Sequence, residues 1–208
     1  MLTKFLRAKS SVPITLFASA TSITSTLTAP ANILAGDLLV FTQYVPNQSS
    51  GTVPSGFTQL VLTESSAVDH RTSYKRAAGT EGGTSISAMS GSDYATVLLV
   101  FRGGSWSSVL TGTWNSEGTD TNPASQTVTS QTGQVIVLGC AGARATAANI
   151  SFSTASPAFD GTVSARDASG DAVTIGYKIY NNGSSSHTID VGDNGDRNTF
   201  HSGYLKLS

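Results

Sequence analysis

Three aspartates at a spacing of three, Asp190, Asp193 and Asp196, form the most acidic cluster of the chain, set among glycine and asparagine. Carboxylates so spaced in a loop are a candidate cation site. The calcium loop of the helix–loop–helix type is not matched: Gly192 stands where an oxygen side chain is needed, and no glutamate closes the loop. Asn194-Gly195 is also a favoured hairpin pair, so the same residues read as a turn between strands. The histidines, His70, His187 and His201, show no metalloprotease spacing, and each is expected to be a partly exposed strand residue. No nucleophile elbow is present. The scattered acids, Glu64, Asp69, Glu81, Asp93, Glu117, Asp120 and Asp160, fall mostly in predicted turns, so no carboxylate pair is set up for glycoside cleavage. The sequence therefore points away from an enzyme and implies no cofactor and no assigned metal. Trp106 and Trp114, close together in a Gly/Ser/Asn-rich segment, have the residue type that stacks on sugar rings, or that pins a long loop to the body of a fold.

The elements that must position these residues repeat. Arg71 to Arg102 reads as three strands separated by glycine-marked turns, and a similar series runs from Val173 to Leu207. Tyr74-Lys75 matches Tyr177-Lys178. Gly36-Asp-Leu-Leu-Val-Phe matches Gly133-Gln-Val-Ile-Val-Leu, and Phe57-Thr-Gln-Leu matches Phe159-Asp-Gly-Thr. No long helical apolar period occurs. The expected fold is all-β: a jelly-roll-like antiparallel β-sandwich built from two similar halves, about 12–103 and 124–208, each burying the other's apolar face. The irregular tryptophan-containing segment 103–123 links them, and residues 1–11 precede them as an extended N-terminal arm.

Composition narrows the classes of function. Charged residues are 12% of the 208, below the roughly 25% usual for globular domains, while 38% are hydrophobic. Ser, Thr, Gly and Asn replace the missing charge, which suits hydroxyl-rich strand faces and contacts between subunits. The net charge of −1 provides no field for nucleic acid. No apolar stretch is long enough for a membrane-spanning helix. Cys140 is the only cysteine, which excludes an internal disulfide, and its apolar run Val135–Ala141 predicts a buried, inert thiol. The N-terminal segment is a poor match to a signal peptide, because Pro13 and Thr15 interrupt its apolar part.

The order Ala35-Gly-Asp-Leu-Leu-Val-Phe, Pro54-Ser-Gly-Phe-Thr, Ser73-Tyr-Lys-Arg-Ala with Glu81 after it, and Ala95-Thr-Val-Leu-Leu-Val-Phe-Arg-Gly103 resembles β-sandwich proteins of tailed bacteriophages. The resemblance covers most of the chain after the first dozen residues and carries no catalytic residues. It implies a structural protein of the virion surface, a capsid decoration or a tail or fibre component, made in the host cytoplasm. The partners it implies are other capsid or tail proteins and further copies of the chain in a symmetric homo-oligomer such as a trimer. Leu2, Phe5, Leu6 and Arg7 are the expected anchoring residues of the arm. The alternative expectation is a receptor-binding module for host surface glycan, using Trp106 and Trp114.

Overall fold

The computed structural model describes residues 12–46, 52–64, 68–87, 95–104, 106–120, 124–144, 150–192 and 196–208. Among them there is no helix. The strands are β1 (Thr15–Ser22), β2 (Thr26–Thr28), β3 (Leu38–Pro46), β4 (Thr58–Glu64), β5 (Val68–Arg76), β6 (Ser85–Ser87), β7 (Ala95–Arg102) and β8 (Val109–Thr111). They continue as β9 (Asn115–Asp120), β10 (Gln126–Thr129), β11 (Gly133–Arg144), β12 (Phe152–Ser156), β13 (Gly161–Arg166), β14 (Ala172–Gly183), β15 (Ser186–Val191) and β16 (Asp196–Leu207).

Two large antiparallel sheets face each other. One has the order β1-β7-β3-β5-β4, the other β13-β14-β11-β16-β8, with β9 also pairing β16. A two-stranded sheet, β2-β6, lies outside the first, and a three-stranded sheet, β10-β15-β12, lies outside the second. The protein is thus a β-sandwich with an extra layer on either side. The repeat explains the arrangement: β7-β3-β5-β4 in the first half corresponds to β16-β11-β14-β13 in the second, and β2-β6 corresponds to β10-β15.

Each large sheet is covered on both faces, and its central strands read accordingly. Every residue of β3 is buried. Leu38, Val40 and Tyr44 point into the central core between the halves, while Leu39 and Phe41 point outward under β2-β6. In β11, Ile136, Leu138 and Cys140 face the central core, and Val135, Val137 and Ala141 face the outer sheet. A strand wet on one face alternates apolar and polar residues; these two do not, because neither face meets water.

Three sequence expectations change. First, Val40 lies opposite Tyr74, but it is Leu138 that lies opposite Tyr177. The halves therefore match Val40 to Leu138, one residue away from the alignment on Gly36 and Gly133. A bulge between Gly133 and Val135 absorbs the difference. Second, the linking segment is not wholly irregular. Its residues form β8 and β9, which extend the second large sheet beyond β16 and are held by backbone pairing rather than by an apolar pattern. Third, β12 has no counterpart among the described residues of the first half.

The strands define two poles. At one, the arm pole, lie Ile14, Asp37, Arg76, Arg102 and Leu207; the opposite strand ends form the far pole. At the arm pole the first described residues cross the seam between the halves. The Val12 carbonyl accepts from the Gly104 amide (2.8 Å) and from Gln134 Nε2 (2.8 Å). Ile14 exchanges hydrogen bonds with the Asn181 side chain. Gly103, at φ +106, lies so close to the Pro13 carbonyl that a Cβ there would collide with backbone.

Candidate functional site

Among the described residues, one cluster of chemistry-bearing side chains lies inside the molecule, while Asp37, Arg76, Arg102 and Trp106 line an open pocket of about 250 Å³ at the arm pole. His70 on β5 and His201 on β16 stack with ring centroids 3.9 Å apart and an interplanar angle of 10°, across the central core. Both are wholly buried, and so is His187, which overturns the expectation of partly exposed histidines. Period-two alternation places a histidine on a face but cannot show that another sheet covers that face.

Threonine hydroxyls bracket the stack. His70 Nε2 lies 3.2 Å from Thr42 Oγ1, and its Nδ1 lies 2.8 Å from Thr199 Oγ1. His201 Nε2 lies 2.9 Å from Thr63 Oγ1, and its Nδ1 3.3 Å from Thr72 Oγ1. Thr42 and Thr72 touch at 3.1 Å, and Thr199 Oγ1 lies 3.3 Å from the Gly142 carbonyl. Thr42 Oγ1 also lies 3.2 Å from the Arg71 carbonyl, an alternative acceptor for its proton; with Thr42 turned to the ring, one directed assignment joins the two histidines. His201 Nδ1–H donates to Thr72, Thr72 to Thr42, and Thr42 to His70 Nε2; His70 Nδ1–H then donates to Thr199, which donates to Gly142. Thr63 donates to His201 Nε2. Both rings are neutral in this scheme. Burial holds His70 down at about 3, and burial followed by the neighbouring His70 holds His201 well below its ordinary range. The buried, neutral pair joins β5 of the first half to β16 of the second.

Cys140 lies beside the same threonines and is buried as expected, and burial raises its thiol to about 12. Tyr44 meets His70 edge to face and fills the space a side chain at Gly142 would need. On the far-pole side of the stack, Asp69 and Arg71 pair at 3.2 Å with almost no exposure.

The acids are not all solvated turn residues. Glu81 is 7% exposed and accepts from the amides of Ala78, Gly79 and Thr80 at 2.9–3.0 Å, while Lys75 Nζ lies 3.0 Å away. Burial alone would raise its carboxyl; the Ala78 amide, Lys75 and the Gly79 amide outweigh it and hold the group at about 2. Asp37 clasps Arg102 at 2.7 Å and accepts from the Leu34 amide. Lys178, the counterpart of Lys75, pairs with Asp160 instead. The repeated Tyr-Lys step therefore ties a strand end to a turn acid in both halves.

Trp106 is 7% exposed and belongs to the central core, with the Arg76 guanidinium 5.1 Å above its ring. Trp114 is half-buried against the same core, its indole lying on the bare backbone of Gly203. Both rings are used in packing. Asp190 lies on β15 opposite Thr154; Asp193 lies outside the described residues, as do Leu2, Phe5, Leu6 and Arg7. Asp196 lies opposite Arg144 at the start of β16. Among the described residues no group of three His, Cys, Asp or Glu side chains comes together as metal ligands.

An open apolar cleft lies under β12. It has a volume of about 500 Å³, with Phe152 and Phe159 as half-buried walls and the exposed Ser151 and Thr162 in its lining; the Thr174 hydroxyl lies buried, bonded to Ser164 and the Ile150 carbonyl. Phe159 reaches its place because Gly139 and Gly176 leave bare backbone beneath it. The repeat marked Phe159 but not the cleft, since β12 has no counterpart among the described residues of the first half.

The fold defines an all-β sandwich protein. No family model, curated protein or solved structure matches the chain, and among the described residues no helix is long and apolar enough to cross a membrane.

Proposed function

We propose that the chain is a non-enzymatic structural protein of a bacteriophage particle, a sandwich body displayed on the particle surface by its N-terminal arm. One observation supports this best. Val12 and Ile14 are fastened to Gly104, Gln134 and Asn181, so the arm joins the body at the seam and engages both halves. A tether needs that kind of root. The resemblance to tailed-phage surface proteins agrees with it, and so does the burial of the histidines as a pair joining the halves. The test is deletion of residues 1–11. The truncated chain should keep its circular dichroism and melting temperature but fail to load onto particles. Loading that survives the deletion refutes the tether.

A second reading, an adhesin for host surface glycan, is favoured by the cleft under β12, where phenylalanine walls and the exposed Ser151 and Thr162 suit a sugar ring. Glycan-array binding that is lost in Phe152→Ala, with particle loading intact, would select this role.

A further inference from the structure

Strand β1 is the edge of the first large sheet, and among the described residues it pairs with β7 alone. An edge strand presents unpaired N–H and C=O groups, and proteins usually guard it with charge, proline or a bulge. Here the guard is thin. No charged residue occurs from Ser10 to Gly36. The bulge between Leu16 and Ala18 protects only the arm end and leaves Ala18–Ser22 in regular register. The corresponding edge of the other half is β9, which carries Glu117 and Asp120. Large apolar side chains are also exposed along β1 and its flanks: Val12 at 61%, Ile23 at 51% and Phe17 at 38%, the last with the Arg102 guanidinium 3.5 Å over its ring; they are three of the five such residues among those described.

Charge is unevenly divided between the poles. Among positions whose side chains are described, the arm pole holds five basic residues against three acidic ones, and the far pole five acidic against three basic. We propose that β1 is the interface with a second copy of this chain, paired antiparallel about a two-fold axis, so that two five-stranded sheets become one of ten. An antiparallel copy sets the basic arm pole of one chain beside the acidic far pole of the other. A parallel copy would juxtapose like poles. With the axis through Ala20, Ala18 lies opposite Ser22 of the second copy, and Ser19 opposite Thr21. These are small or hydroxyl pairs that bring no like charges together.

Sedimentation velocity on the full-length chain across the micromolar range tests this. A dimer is expected, weakening as salt screens the opposed poles. Ser19 and Thr21 are exposed, so changes there should spare the fold. The double change Ser19→Lys/Thr21→Lys should give a monomer with unaltered circular dichroism and melting. Ser19→Lys/Thr21→Glu should restore the dimer, because it places unlike charges opposite each other across the axis. A monomeric wild type overturns the proposal, as does association that ignores the lysine pair or is not restored by the lysine–glutamate pair. None of these results depends on particle loading, so the tether and the dimer can fail separately.

Discussion

Acidification from pH 7.5 to pH 5 should destabilise this protein through its stacked histidines before its carboxylates respond. His70 is held at about 3 in the folded chain. In the unfolded chain it titrates near the ordinary 6.5, so below that pH the unfolded state binds more protons and stability falls. The penalty is absent above about pH 6.5, grows as pH drops, and levels off only near the folded value. For His70 alone it is about 2 kcal/mol at pH 5, a large part of the ~5–15 kcal/mol typical of a domain. His201 and His187 are lowered too, both mainly by burial, and add in the same direction. Glu81, held at about 2, begins to cost stability only below roughly pH 4.5. The window between pH 6.5 and 5 therefore isolates the histidines. Urea unfolding at pH 7.5, 6 and 5 should show the midpoint falling at constant slope, with the imidazole resonances of His70 and His201 unchanged in folded protein over that range. A flat stability profile, or a ring titrating near 6.5 while the chain stays folded, would refute the reasoning.

Other outcomes can be checked in the same preparations. Cys140 should resist a thiol reagent at pH 8 in folded protein and react once urea unfolds it. Gly142→Val should cost about 1–3 kcal/mol by overpacking, read from urea midpoints, because the Tyr44 ring occupies that space. Glu81→Gln should lower the melting temperature by uncoupling the 77–84 turn from Lys75, and should flatten the stability loss seen between about pH 4.5 and 2. Expressed separately, residues 12–103 and 124–208 should be insoluble, because each would expose its side of the central core; a folded, soluble half would show that the seam is dispensable.

The repeat was legible because Tyr74-Lys75 and Tyr177-Lys178 keep their places and the paired strands keep their apolar runs. The registers between halves were not, because the bulge at Gly133 shifts β11 by one residue and apolar residues on both faces of a strand conceal such a slip. β8 and β9 escaped detection for the opposite reason: strands recruited to an edge by backbone pairing need no apolar pattern. The histidine pair could not be read from spacing at all. His70 and His201 are 131 positions apart in sequence and meet only because β5 and β16 oppose each other across the seam. Of the two roles that residue type allowed the tryptophans, pinning the linking segment to the core is the one both rings show.

The seam is closed by different chemistry along its length, and this bears on what a tether would do. At the arm pole it is crossed by polar clasps: Val12 to Gly104 and Gln134, and Ile14 to Asn181. Its middle is apolar, from Leu38 and Val40 against Ile136 and Leu138. Toward the far pole come the stacked histidines and their threonines. Tension on the arm would reach the clasps first. Because they grip both halves, the load would pass into the two large sheets together instead of peeling β1 from β7 one backbone bond at a time. Further along, the apolar middle resists separation without regard to direction, whereas the histidine layer holds only while its rings stay stacked and neutral. A tether at residues 1–11 would thus load the clasped end of the seam, while protonation of the histidine layer would weaken the opposite end.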